Sequence, residues 1–184
     1  RTVDFEDSED VHSFAGSLVA TIEGERPDTV LLCVPIDSAP EALPARDASI
    51  AAALALQIAR RAAASRPPLS IQILFLGAEQ GAGDEYPMSS RLFLRDYYPE
   101  RPVLAVYLNL EARPERVLLR AGSEGLVAPL WLVQRTLAAL ERAGIDARID
   151  GTEIQLARAG LAKVRTPIGP FLREGYPAIA IEGD

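Results

Sequence analysis

The sequence is poor in the side chains that most often build metal centres and nucleophilic sites. It contains one Cys (Cys33), one His (His12) and one Met (Met88). A single Cys excludes an intrachain disulfide and every Cys-rich zinc site. A single His excludes zinc sites with several His ligands and argues against a Ser-His-Asp triad. Much of the usual hydrolase chemistry is therefore excluded before any motif is considered.

The charge balance and the hydropathy pattern exclude two further classes of protein. The 184 residues include 19 Lys+Arg and 26 Asp+Glu, for a formal net charge of −7. Acidity dispersed along the chain argues against nucleic acid as a partner. No apolar run reaches the roughly 18 residues that a membrane span needs, so the sequence predicts no span in this segment. The length suffices for one domain with a full core.

The pattern of apolar runs predicts a chain that alternates strands and helices. Strands are predicted at residues 17–23, 29–35, 69–76, 103–110, 116–120, 145–149 and 178–181, and helices at 48–64, 88–97, 126–143 and 153–159. This alternation predicts an α/β fold, a three-layer α/β/α sandwich with a mixed, mostly parallel sheet. The runs at 29–34, 71–76, 103–108 and 178–181 are predicted to be interior strands, because they are continuously apolar.

Local signals refine this prediction. The first two strands are separated by GERPD, which favours a hairpin between them. Asp47 is a suitable N-cap for the first helix, which Pro67 ends. Trp131 is predicted to lie in the core as part of the third helix, with Gly144 at its C-terminal end. Cys33, within an apolar strand, is interpreted as a small buried hydrophobe.

The two ends of the sequence suggest how it is organised. Residues 1–10 (RTVDFEDSED) are acidic, so residues 1–13 are interpreted as an N-terminal arm or connection. Residues 14–184 are interpreted as a single α/β domain. Because the chain starts with Arg1 rather than Met, it is predicted to be a segment of a larger protein. His12 lies in the arm and is interpreted as a surface or capping imidazole.

Three acidic residues follow predicted strands directly. Asp37, Glu79 and Glu111 each come just after a buried apolar run. Ligands of open α/β sheets bind at the carboxyl ends of the strands, so these positions are typical of a site. We expect the three carboxylates to converge on one cleft, with Arg46 or Asp47 at its rim.

Five short motifs occur in an order that resembles the di-zinc aminopeptidase superfamily. They are IDS at 36–38, DAS before the Ala-rich helix at 47–49, GAEQG at 77–81, VYLNLE at 106–111 and PFLREGYPAI at 170–179. This superfamily contains bacterial leucyl aminopeptidases and glutamate carboxypeptidase, and the non-catalytic relatives transferrin receptor and nicastrin. The resemblance covers residues 14–184 in unbroken order and implies the same α/β/α sandwich.

The resemblance also implies where a metal site would lie. Members of the superfamily hold two zinc ions through two His and three carboxylates, one of them bridging, and use a separate Glu as general base. The first His position falls on Pro35, which has no donor atom, whereas Asp37 keeps the acid that would orient that His. Glu79 matches the general base. The adjacent metal ligand is replaced by Gln80, a neutral and weaker ligand.

The remaining ligand positions depart from the superfamily pattern as well. Without a gap, the bridging aspartate falls on Arg46, while a slip of one residue would recover Asp47. Glu111 stands in place of an Asp, and the last His falls on Ile168. An Arg46 side chain that pointed into the cleft would place a cation where the metal would sit and would pair with Glu79 or Glu111. The departures predict a degenerate site without zinc or another cofactor.

Three functions remain open at this point. The first is a catalytically inactive peptidase-like domain, a recognition or scaffold module in a larger protein with a protein or peptide partner. By analogy with the non-catalytic relatives, it would be extracytoplasmic or anchored to a membrane by a segment outside this sequence. The second is a metal-dependent aminopeptidase or other peptide-bond hydrolase with an atypical site. The third is a metal-free hydrolase with Glu79 as base and Arg46 as electrostatic stabiliser.

Overall fold

Eleven strands and five helices occur in the part of the chain that the structure describes. A computed structural model describes residues 2–6, 12–37, 49–80, 87–96, 102–110, 116–149, 151–161 and 164–183. The strands are β1 (Thr2–Glu6), β2 (His12–Gly16), β3 (Leu18–Ile22), β4 (Arg26–Pro35), β5 (Leu69–Leu76), β6 (Pro102–Asn109), β7 (Val117–Arg120), β8 (Gly122–Ser123), β9 (Leu126–Val127), β10 (Ala147–Ile149) and β11 (Ala178–Gly183). The helices are α1 (Ser49–Ser65), α2 (Met88–Asp96), α3 (Leu130–Arg142), α4 (Gly151–Arg158) and α5 (Gly169–Arg173).

Seven of these strands form one mixed sheet in the order β10-β7-β11-β6-β4-β5-β3. The four strands β11, β6, β4 and β5 run parallel to one another, and antiparallel β7 and β3 flank them. These four are the strands predicted to be interior, so that prediction is confirmed, as is the mostly parallel sheet. Their continuous apolar runs follow from burial on both faces.

Helices cover both faces of the sheet. On one face, α1 packs against β4 and β5 through Ala51 and Ala55, and α3 packs against β7 and β11 through Leu132 and Val133. On the other face, α2 and α5 contribute to a cluster that includes Phe171 and the strand residues beneath it. The arrangement is the predicted three-layer sandwich. Among the described helices, none combines the length and apolar character needed to span a membrane.

The predicted hairpin between the first two long strands is wrong. β3 pairs antiparallel with β5, with Leu18 opposite Phe75, and β4 lies on the far side of β5. The connection from β3 to β4 therefore passes the beginning of β5. There, a Cβ on Gly24 would collide with the backbone of Leu69. The strongly apolar β4 takes a central place, and β3, which is largely exposed, takes the edge.

Two other expectations are corrected around α3. Residues 126–127 form β9, paired with β8, and the helix begins only at Leu130, after Pro129. Trp131 is 44% exposed and does not belong to the core, which α3 reaches through its next two residues instead. Gly144 ends the helix with a φ of +72°, as predicted. Cys33 is fully buried, also as predicted.

The N-terminal segment contains structure that the sequence analysis does not predict. β1 and β2 pair antiparallel in a separate two-stranded sheet, in which His12 lies opposite Glu6. The short helix α5 and the small β8–β9 sheet were likewise not predicted. Each is too short to show the periodicity on which sequence-based prediction depends.

Candidate functional site

The candidate site lies at the carboxyl ends of β4 and β5. These parallel neighbours end in register, with Pro35 opposite Leu76, and the N–H of Ile36 donates to the Leu76 carbonyl at 2.8 Å. The loops that follow therefore leave the sheet side by side. This places the Asp37 carboxylate against the backbone of Glu79 and Gln80.

Asp37 holds the loop after β5 in place. Its Oδ2 accepts hydrogen bonds from the backbone N–H groups of Glu79 and Gln80, both at 2.8 Å. Its Oδ1 is buried and has no hydrogen-bond partner in the described part of the chain. Burial raises the pKa of Asp37 above its ordinary value, and the backbone hydrogen bonds oppose that rise.

Glu79 is turned into the protein. Only 6% of the residue is exposed. Its Oε1 accepts from the backbone N–H of Ser90 at 2.6 Å, while its Oε2 accepts from the Ser90 hydroxyl at 2.7 Å and the Tyr107 hydroxyl at 3.1 Å. Burial raises the pKa of Glu79 to about 7, against the opposing effect of these hydrogen bonds and with a small additional rise from the charge of Asp37. Near neutral pH this buried carboxyl is therefore protonated in part of the molecules.

The two residues that donate hydrogen bonds to Glu79, Ser90 and Tyr107, were missed by sequence analysis. Ser90 lies in the first turn of α2 and Tyr107 near the end of β6, so neither is near Glu79 in sequence. Tyr107 offered a signal, because a Tyr inside an apolar strand needs a hydrogen-bond partner when buried. Burial, with a further contribution from Glu79, raises the pKa of the Tyr107 hydroxyl well above its usual value. Cys33 is affected in the same way, which leaves it an unreactive thiol.

The other predicted positions divide into two groups. Pro35 is fully buried at the end of β4, and Ile168 is fully buried immediately before α5, within the core cluster on the α2 and α5 face. Arg46, Asp47 and Glu111 lie outside the described residues, so their convergence with the other acids stays a prediction.

The described residues do not fit the di-zinc centre that the resemblance implies. The two expected His positions hold Pro35 and Ile168, whose side chains carry no donor atom. Both oxygens of Glu79 already accept hydrogen bonds from protein groups. Within the described ranges, no group of three or more His, Cys, Asp or Glu side chains is placed to hold a metal ion.

A separate shallow surface cleft lies beside β8, β9 and α4. Three of its lining residues bond one another: the backbone N–H of Thr166 donates to the Ser123 hydroxyl at 3.1 Å, and the Thr166 hydroxyl donates to the Gly122 carbonyl at 2.9 Å. None of its lining residues belongs to the cluster around Glu79. The cleft is therefore distinct from the candidate site.

Comparison with known proteins gives one family match and a set of structural neighbours. The family model TP_0564_1st, which is described as a first domain, matches residues 69–184. No match was found among curated proteins. Glutaminyl cyclase from Porphyromonas gingivalis is 17% identical, with a TM-score of 0.74 over 100% of this chain and 67% of that one. Glutaminyl cyclase from Fimbriiglobus ruber is 16% identical, with a TM-score of 0.74 over 100% of this chain and 69% of that one.

A Zn-dependent exopeptidase has the same fold with a lower TM-score. The protein from Parabacteroides distasonis is 15% identical, with a TM-score of 0.66 over 100% of this chain and 68% of that one. At such low identities these similarities show the fold alone. They confirm the α/β sandwich with its mixed sheet, a fold that this chain shares with glutaminyl cyclases and a Zn-dependent exopeptidase.

Proposed function

The chain belongs to the TP_0564_1st family, and we propose that it is a catalytically inactive, peptidase-like domain that serves as a recognition or scaffold module in a larger protein. The aminopeptidase-like fold supplies the first part of this proposal. The observation that carries the second part is the environment of Glu79, the position at which the superfamily has its general base.

A general base has to reach the proton that it removes, directly or through one water. Glu79 instead directs both oxygens at Ser90 and Tyr107, with three donors within 3.1 Å. Reaching a substrate water would break these buried hydrogen bonds and leave their donors unpaired, at a cost of about 1–3 kcal/mol for each group. In this proposal, Glu79 joins β5, α2 and β6 and has no catalytic role.

We extend the proposal to the metal. Pro35 and Ile168 supply no ligand atoms, and Gln80 is a neutral amide where a carboxylate is expected. The acids at Asp47 and Glu111 would form at most a weak site for a hard cation, and Arg46 would repel a cation from the same place. The chain is therefore expected to bind no zinc. It spans about two thirds of the length of its structural neighbours, so the activity of the whole polypeptide belongs to the proposal too.

The net charge of the chain indicates the kind of partner. A net charge of −7 disfavours nucleic acid, so the expected partner is a protein or a peptide. Non-catalytic relatives within the superfamily give this assignment by analogy only.

An activity screen tests the proposal. The chain would be assayed against aminoacyl-4-nitroanilides and against an N-terminal glutaminyl peptide, since its structural neighbours include an exopeptidase and glutaminyl cyclases. Each assay would be run with added Zn²⁺ and with chelator. We expect no turnover in any condition, and Glu79→Gln should be indistinguishable from wild type. Glu141→Gln, an exposed substitution on α3, is the matched control.

Two results would overturn the proposal, and each points to a different enzyme. Turnover that is lost on chelation and in Glu79→Gln, but kept in Glu141→Gln, would indicate a metal-dependent hydrolase. Turnover that resists chelation but is lost in Glu79→Gln would indicate a metal-free hydrolase with Glu79 as its base.

A further inference from the structure

The outer edge of β3 is open at one end of the seven-stranded sheet. Within the described part of the chain, β3 pairs with β5 alone. Every second residue of Leu18–Ile22 therefore directs its backbone N–H and C=O groups away from the sheet. Four of these five residues are exposed, among them Leu18 at 66% and Val19 at 41%. The edge thus presents backbone donors and acceptors that only an extended segment can pair with in full.

β3 has none of the features that usually protect an edge strand. Natural sheets protect their edges with charged side chains, Pro, bulges or very short strands. Residues 16–22 include no charged residue and no Pro, and the register between β3 and β5 is uninterrupted. At the other end of the sheet, β10 is only three residues long and contains Arg148. This contrast indicates that a further strand covers β3.

The strand β1 lies on the outer side of the line that β2 and β3 form. β2 leads into β3 through the single residue Ser17, and Thr2 of β1 pairs with Gly16 of β2. The inner side of Gly16 is taken by Gly77, which follows β5. A Cβ on Gly77 would collide with the Gly16 carbonyl oxygen, and the Gly77 N–H donates to the Ser17 hydroxyl at 3.4 Å. Because a strand residue has two edges, Thr2 lies on the outer one, in line with a strand beside β3.

We propose that the residues immediately before Arg1 in a longer polypeptide extend β1 along β3 and form an eighth strand of the sheet. β1 runs antiparallel to β2, so the chain that leads into Thr2 comes from the side of β3. Thr2 lies opposite Gly16. Continued without a shift, this register places the first residue before Arg1 opposite Leu18 and the third opposite Ala20.

The chemistry of the covering segment follows from β3. Leu18 and Val19 are exposed on opposite faces of the sheet, so the new strand is expected to be uncharged, with apolar or β-branched residues on both faces. In the structural neighbours, about a third of the chain lies outside the part shared with this one, so the fold accommodates further segments. The inference does not rest on the proposed function.

A second copy of the chain does not fit this edge. With full antiparallel overlap of two β3 strands, residues beyond Ile22 of one copy would run beside Gly16 of the other. Gly24 is one of them, since it lies against Leu69 at the start of β5 and so continues the line of β3. The place beside Gly16 is already taken by Thr2. A continuation of β1 meets no such obstacle.

Two engineered cysteines test the register in the longer polypeptide. A cysteine three residues before Arg1, combined with Ala20→Cys, would bring two Cα atoms to about 4.5–5.5 Å, which a disulfide can span. Cys33 is fully buried and gives no background. We expect an intramolecular disulfide under mild oxidation, identified by mass spectrometry of the digested protein. The matched control pairs the same upstream cysteine with Thr21→Cys, which projects from the opposite face and should react at least roughly tenfold more slowly.

Hydrogen–deuterium exchange of the same polypeptide provides a readout without any substitution. The outward-facing amides of β3 should exchange at least roughly tenfold more slowly than those of the edge strand β10. Equal exchange at the two strands would overturn the inference, as would a polypeptide with no residues before Arg1. It is also overturned if the Thr21→Cys pair reacts as fast as the Ala20→Cys pair, or if the disulfide joins two chains, since the occupant would then be a second copy.

Discussion

Replacing Glu79 with Gln is expected to remove a pH dependence of stability that the buried carboxyl creates. Burial raises the pKa of Glu79 to about 7 in the folded protein, against 4.5 as the ordinary value. Between these two values the folded state binds more protons than the unfolded state. The contribution of Glu79 to stability is therefore fully present below about pH 4.5 and is lost as the pH rises through about 7.

The size of the effect follows from the same two values. At about 1.4 kcal/mol per pH unit, the difference between them corresponds to about 3 kcal/mol of unfolding free energy. About 2 kcal/mol of this lies above pH 5.5, clear of the isoelectric point near 4.9, where solubility would be lowest. Gln keeps the shape of Glu and cannot ionise, so the stability of Glu79→Gln relative to wild type should rise by that amount from about pH 5.5 to about pH 8.5.

Urea unfolding across this pH range measures the difference directly. Trp131 is the single Trp of the chain and supplies a fluorescence signal alongside circular dichroism. The exposed Glu141→Gln should differ from wild type by no more than about 0.5 kcal/mol throughout. A stability difference between Glu79→Gln and wild type that stays constant with pH would refute the assignment of Glu79 to a buried environment.

Five further substitutions, at four positions, test other parts of the structure, each through the unfolding free energy. Asp37→Ala should destabilise by about 2–3 kcal/mol, because two backbone N–H groups lose their acceptor, and Asp37→Asn should recover part of this; equal losses in both variants would contradict the account. Gly77→Ala should cost about 1–3 kcal/mol, because the added Cβ would collide with the Gly16 carbonyl oxygen; a neutral result would mean that the two segments are not in contact. Leu132→Ala should cost about 2–4 kcal/mol and Trp131→Ala less than about 1 kcal/mol, and the opposite order would show that Trp131 belongs to the core after all.

The parallel centre of the sheet could be predicted from sequence because its strands carry a strong and local signal. β4, β5, β6 and β11 are apolar on both faces, and a strand of that kind has to lie between two layers of helices. The partner of an edge strand has no such signal. β3 is adjacent in sequence to β4 but pairs with β5, and the connection between β3 and β4 passes close to the first residue of β5 at Gly24.

The orientation of apolar side chains was the other feature that the sequence left open. Hydrophobicity placed Trp131 in the core, but α3 begins only after Pro129, and its first two residues face outward. Apolar residues therefore lie in the core at residues 132–133 and on the exposed surface at residues 130–131. A pattern over a few residues cannot distinguish these roles without the position of the helix start.

At the candidate site, the sequence predicted the acids but not their environment. Asp37 and Glu79 could be brought together because parallel strands end at the same edge of the sheet. The partners of Glu79 come from α2 and β6, and no local spacing connects Ser90 or Tyr107 with it. Under the proposed function, those partners hold Glu79 as a buried structural carboxyl at the position of a general base.

The zinc content of the purified chain tests the central claim most directly. Protein prepared without chelator would be compared by elemental analysis with protein treated with chelator, and micromolar Zn²⁺ would be added back in a thermal-shift assay. With Pro35 and Ile168 in place of ligands, the account predicts well under one zinc per chain and no shift in melting temperature. Stoichiometric zinc, removed by chelation together with a measurable peptidase activity, would contradict it.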